Sequence, residues 1–238
     1  MRIRSFCAFS AVAAAISLLA ACGSRRVAIT PEQRERARKV PVIRAIHMVT
    51  PPFLVTTPSD AAGLGWGSKA AVGGMTSSDT AKSAAAQQPK SGYPDVSLEM
   101  KTRILQALRQ AGFVNFTVVD GPLARPPDVD EMDWYRTRYK SGLVLEIDVR
   151  GYQFHYMPFN WETYWMGMGG HARLVDAGES KVLWEDWCNV NGVTDSAFRV
   201  DVKDFEAESN ARLKSVIKAG VRKCADELAG RFLGNPAS

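Results

Sequence analysis

Cys22 carries the clearest chemistry in this chain: its thiol follows Leu19-Ala20-Ala21, which in turn closes an apolar stretch from Phe6 to Leu19 behind Arg2 and Arg4. The basic start stays cytoplasmic, an apolar run of about 14 residues is too short to span a bilayer, and small residues before the cysteine fit a peptidase cleft. The pattern reads as a lipid-attachment signal, in which residues 1–21 are removed and the Cys22 sulfur takes a diacylglyceryl group. Each buried CH₂ of an acyl chain contributes about 0.8 kcal/mol, so several chains hold the mature N-terminus firmly. Gly23 and Ser24 come next, without the aspartate that retains such proteins in the inner membrane. The expected address is the periplasmic face of the outer membrane, reached through the N-terminal lipid.

Of the four cysteines, Cys7 leaves with the signal and Cys22 is consumed by lipid, so Cys188 and Cys224 remain. One pairing is open to them, as an oxidising compartment favours; two separately buried thiols are the alternative. Neither has a Cys or His at zinc-ligand spacing. A Cys188–Cys224 disulfide would close a loop of about 37 residues, which chain entropy values at about 3–4 kcal/mol.

The histidines are His47, His155 and His171. His155 and His171 stand in strand-like stretches beside aromatic and glycine residues, the surroundings of a structural imidazole. Glu146 with Asp148, and Glu185 with Asp186, are the carboxylate pairs from which acid and base chemistry would be drawn. The first pair lies on the polar side of an alternating strand, where solvated carboxylates are expected. His-Glu-x-x-His, Gly-x-Ser-x-Gly and a supported Ser-x-x-Lys are missing, and Gly63, Gly65, Gly67, Gly73 and Gly74 do not make a phosphate-binding loop. The reading is therefore of a protein that is not an enzyme, with no cofactor and no metal. A net charge of +5 with no dense basic block in the folded part speaks against nucleic acid as a partner.

Aromatic side chains crowd between Tyr152 and Trp165, around the turn Met157-Pro158-Phe159-Asn160. Strand alternation buries about half of them, and a hairpin tip with Phe159 and Trp161 would leave apolar area exposed. Core packing alone is the first reading of this cluster; a protein or membrane contact is the second, with Phe159, Trp161 and Trp66 of the Gly-rich insertion as the candidate partner surface, and sugar stacking is the least.

These residues need elements to position them. Residues 22–40 read as a lipidated tether, with some helix around Glu32–Lys39; 41–234 as one α+β domain carrying a flexible Gly, Ala and Ser-rich insertion at 58–92; and 235–238 as a tail. Val42–Thr57 predicts a strand whose ladder Pro51-Pro52 must break or bulge. Asp95 or Ser97 caps a helix running to Ala111, with Met100, Ile104, Leu108 and Ala111 on one face and Gly112 as its stop. Phe113–Val119 predicts a strand and Asp130–Lys140 a short helix bearing Trp134, Tyr135 and Tyr139. Leu143–Val149 alternates cleanly, and the phase changes after Gly151 as at a bulge. Tyr164–Val175 and Val182–Val190 complete a meander, and Phe205–Leu233 carries an apolar stripe through Leu213, Val216, Ile217, Gly220, Val221, Cys224, Leu228 and Phe232. Cys188 shares its strand face with Trp184 and Val190, so packing of the last helix on the sheet could join the thiols. The expected fold is α+β: a mainly antiparallel sheet, helices packed on one face, and a long C-terminal helix.

On Thr50-Pro51-Pro52, the Gly-rich insertion, Ser141-Gly142-Leu143-Val144-Leu145-Glu146, Ala172-Arg173-Leu174-Val175-Asp176, Cys188 and Cys224, the chain resembles a family of uncharacterised proteobacterial lipoproteins. In element order it is similar, more distantly, to envelope accessory lipoproteins of the curli-secretion, cell-wall-synthase-activator and transporter-auxiliary kinds. That likeness implies a non-catalytic binding or scaffolding component of an envelope assembly, with an envelope protein as partner. A carrier of lipid or another hydrophobe, held between sheet and C-terminal helix, is the alternative. An envelope hydrolase using Glu146 or His171 is a third.

Overall fold

In the computed structural model the structure describes residues 26–55, 93, 95–119, 121–124, 130–157, 160–205 and 211–235. Cys22, Trp66, Phe159 and the Trp161 side chain, all singled out by the sequence, lie outside the described residues. None of the helices among those residues is long and apolar enough to cross a membrane.

Helix α1 (Pro31–Lys39) begins with a capping box, in which Thr30 and Gln33 satisfy each other's backbone N–H, and with proline in its first turn. The tether expected over 22–40 does not extend through this stretch. Val27 exchanges two backbone hydrogen bonds of 2.9 Å with Glu185, Ala37 is fully buried, and Arg34 Nε donates to the Phe232 carbonyl at 2.9 Å. Residues 26–40 are thus part of the folded body. They dock through a few polar anchors and the buried Ile29 and Ala37, too few apolar positions to make a stripe, which is why composition alone suggests a solvated linker.

Strands β1 (Ile43–His47) and β2 (Leu54–Val55) are separated at the proline pair, as expected. Helix α2 (Val96–Gln110) is capped by Asp95, whose side chain accepts from the Leu98 N–H. Then follow β3 (Phe116–Val118), α3 (Glu131–Tyr139), β4 (Leu143–Met157), β5 (Asn160–Asp176), β6 (Lys181–Asn191), β7 (Arg199–Asp201), the one-turn α4 (Val202–Phe205) and α5 (Ala211–Leu233). The sheet order is β3-β1-β4-β5-β6, with β2 added beside β4 and β7 beside β5. Its long strands β4, β5 and β6 are antiparallel; β1 runs parallel to β3 and β4. The bulge falls between Val149 and Gly151.

The two long helices lie on one face. Their apolar stripes, Met100, Ile104 and Leu108 from α2 and Leu213, Ile217 and Leu228 from α5, join Leu145, Ile147, Met166 and Trp184 of the sheet in the main core. The shorter α3 covers the opposite face, where Trp134 and Tyr135 meet Ile46, Val144 and Val175. Cys188 and Cys224 form the disulfide between β6 and α5, with Cα atoms 5.3 Å apart. Nearby, Gly220 lets α5 approach so closely that a Cβ there would lie 2.3 Å from Met166 Cε. The seam that a carried hydrophobe would occupy is filled by the protein's own side chains at this point.

Candidate functional site: a buried ion network and a glycine-floored sheet face

Alternation places Glu146 and Asp148 of β4 on the α3 side of the sheet, but they are not solvated as the sequence suggested. Glu146 is fully buried and Arg173, its register partner on β5, is 2 % exposed. Arg173 Nη2 donates to Glu146 Oε1 at 2.9 Å and its Nε donates to Tyr135 Oη at 2.9 Å. The Tyr135 hydroxyl donates to the other Glu146 oxygen, and Glu131 also accepts from Arg173. Burial by itself would lower the Arg173 pKa; the hydrogen bond to Glu131 and the charge of Glu146 more than reverse this and raise it. The carboxylates were misread because α3, whose Tyr135 and Glu131 complete the network, covers a face that alternation alone shows as polar.

Along the same face His171 is fully buried, its ring stacked on Trp187 with centroids 4.0 Å apart. Its Nε2 lies 2.7 Å from Glu185 Oε1, and Nδ1 lies 3.4 Å from Arg150 Nη2. The neutral Nε2–H tautomer satisfies both contacts. Burial pushes the Glu185 carboxyl up from its ordinary value. Arg150 Nε in turn pairs with Asp148 at 2.8 Å. Ligand atoms of Glu146, Asp148 and His171 all lie within 4.8 Å of one another. Such a donor set suits a divalent cation, yet the guanidiniums of Arg150 and Arg173 already supply the positive charge. What the arrangement does chemically is hold α3 and the sheet together.

A separate buried imidazole sits on the helical side. Among the described residues neither ring nitrogen of His47 has a hydrogen-bond partner, and Asp95 Oδ2 is 3.7 Å from Nε2. Burial is the main reason its pKa falls; Lys101 adds to this and Asp95 opposes it.

Beyond α3 the same face of β4, β5 and β6 continues, and among the described residues no helix packs on it. Its rungs follow from the register. Gly151, Gly169 and Asn189 lie side by side, then Gln153, Gly167 and Asn191, then His155, Trp165 and Arg199 of β7. Trp165 anchors its indole N–H on the Tyr156 carbonyl at 3.0 Å, and its ring lies 4.8 Å from that of His155. Burial holds the His155 pKa down at about 4. At the other end stands Trp187, with the Arg150 guanidinium 5.3 Å above its ring. Trp165 belongs to the aromatic cluster read from sequence. Trp187 and the glycines were missed, although glycine at every second position, 167 and 169, in phase with Trp165, was a visible signal.

No protein-family model matches the chain, and no curated protein matches it. Solved structures similar to it include a PelC dodecamer from Paraburkholderia phytofirmans, at 12% identity and a TM-score of 0.38, covering 90% of this chain and 97% of that one. Lipoprotein GNA1162 from Neisseria meningitidis is similar at 14% identity and a TM-score of 0.33, covering 76% and 95%. Protein XCC0632 from Xanthomonas campestris is similar at 14% identity and a TM-score of 0.40, covering 89% and 94%. With scores below 0.5, nothing about function transfers from them.

Proposed function

We propose that this protein is a lipid-anchored, non-catalytic binding component of the bacterial envelope, attached through Cys22 to the periplasmic face of the outer membrane. The observation that carries the binding half is the sheet face bounded by Trp165 and Trp187, where Gly151, Gly167 and Gly169 lower the middle of the face between the side chains of Gln153, Asn189 and Asn191. The ionisable groups of the neighbouring seam support the non-catalytic half, since Glu146, Arg173, His171 and Glu185 are engaged with one another. The Cys188–Cys224 bond fits an oxidising compartment. The test of the anchor is growth with labelled palmitate followed by membrane fractionation. Wild-type protein is expected to carry label in the outer-membrane fraction, and Cys22→Ser to carry none and to leave that fraction. An unlabelled or cytosolic wild-type chain would sink the proposal.

A further inference from the structure

The glycines on this face are not demanded by the fold. Neither Gly151 nor Gly169 has a positive φ, the two are register partners, and among the described residues a Cβ at Gly151 would meet nothing within 4 Å. At Gly169 an added Cβ would reach only Arg150 Cβ, at 4.0 Å. Glycine weakens a strand, so its repeated use where a side chain would fit calls for another reason. Gly167 is different: the Trp165 ring lies across it, 3.3 Å from a Cβ position, so this indole rests on the sheet. Together they make a shallow trough, floored by backbone and bounded by Trp165 at one end and Trp187 at the other. Trp165 and the Trp187 partner His171 are six residues apart on β5, which is about 20 Å at ~3.3 Å per residue.

The chemistry of the lining selects an occupant. The rungs between the tryptophans present Gln153, Asn189 and Asn191, whose amides both donate and accept. They present no carboxylate, and His155 is neutral near pH 7 because burial holds its pKa at about 4. The cations stand at the ends: Arg150 is paired with Asp148, and Arg199 donates to the Gly192 and Val193 carbonyls. An uncharged lining with amide hydrogen bonding and flat indoles matches a polyhydroxylated, uncharged ligand with apolar ring faces. We infer that this trough binds an uncharged glycan chain, a sugar C–H face lying on Trp165 and its hydroxyl or acetamido groups meeting Gln153, Asn189 and Asn191. This deepens the binding role proposed above by naming the ligand class.

The test is titration of the purified full chain in detergent with chitohexaose and, separately, cellohexaose, followed by tryptophan fluorescence and calorimetry. Saturable binding is expected, weakened at least about tenfold in Gly169→Leu, whose side chain would stand on the trough floor, and in Trp165→Ala. An unchanged melting temperature for Gly169→Leu separates blockage from unfolding. Preference for chitohexaose would mark acetamido sugars, and equal binding would mark the hydroxylated ring alone; both support the inference. No saturable response to either oligosaccharide, binding unaffected by Gly169→Leu, or stronger binding of a polyuronate would overturn it. Because the titration does not use the anchor, its failure leaves the palmitate result standing, and the reverse also holds.

Discussion

Arg173 shows how one side chain can hold two layers together. Its guanidinium links β5 to Glu146 on β4 and to Tyr135 and Glu131 on α3, with Glu146 fully buried. Removing one member of a buried pair strands the other charge, at a cost of about 3–5 kcal/mol, whereas replacing both with apolar groups is far milder. Arg173→Met is therefore expected to lower the urea-unfolding free energy by about that amount, and the double change Arg173→Met with Glu146→Leu to recover much of it. Equal losses in single and double variants would show that the pair is not the source. His155 adds a pH dependence of definite sign. Its folded pKa of about 4 lies below the ordinary 6.5, so between these values the unfolded chain binds a proton that the folded chain refuses. Its stabilising contribution is complete above about pH 6.5 and is lost as pH falls toward 4, up to about 3 kcal/mol; His47, also shifted down by burial, acts in the same direction. Melting temperatures measured across this range should decline for wild type and decline less for His155→Gln.

At the level of elements, legibility followed the range of the interaction. The stripes of α2 and α5 are buried where periodicity put them, from Met100 to Leu108 and from Leu213 to Phe232, because an apolar face must find a core whatever the topology. The bulge at Gly151 and the phase of Cys188 were readable for the same local reason. The parallel pairing of β1 with β3 and β4 was not, since strand order depends on contacts that no window of sequence contains. The ion network escaped as well: Trp134 and Tyr135 were seen as aromatic residues of a short helix, but nothing in β4 says that this helix closes over Glu146. Two of the readable features carry predictions. Opening the 36-residue separation between Cys188 and Cys224 with the double Cys→Ala variant should cost about 4 kcal/mol, and reduction should slow wild-type migration on a denaturing gel. Gly220→Ala should cost about 1–3 kcal/mol by overpacking against Met166, measured by thermal unfolding. A neutral result would mean that the methionine end swings aside.

For the molecule as a whole, the proposed anchoring takes a different geometry once α1 is counted in the folded body. A free linker over residues 22–40 would let the domain range about 60 Å from a lipid on Cys22, at ~3.3–3.6 Å per residue. With Val27 paired to Glu185, the reach from that sulfur to the fold is at most about 18 Å on the same scale, so a protein anchored there sits against the bilayer surface. Three arginines of this stretch are held by the fold: Arg34 on the Phe232 carbonyl, Arg36 on Asp176 at 2.8 Å, and Arg38 over the Phe113 ring at 4.7 Å. Docking also covers the middle of edge strand β6, where Val27 pairs with Glu185, and an uncovered edge invites pairing with another chain. Limited trypsin digestion of membranes carrying the protein should leave the bonds after Arg34, Arg36, Arg38 and Lys39 intact for as long as the domain stays folded. Deleting residues 26–40 should cost at least about 1.5–3 kcal/mol from Ile29 alone and promote association through β6, seen as a lower melting temperature and larger species on size exclusion. Rapid release of a fragment beginning at Val40 would show that the segment swings free and restore the long tether.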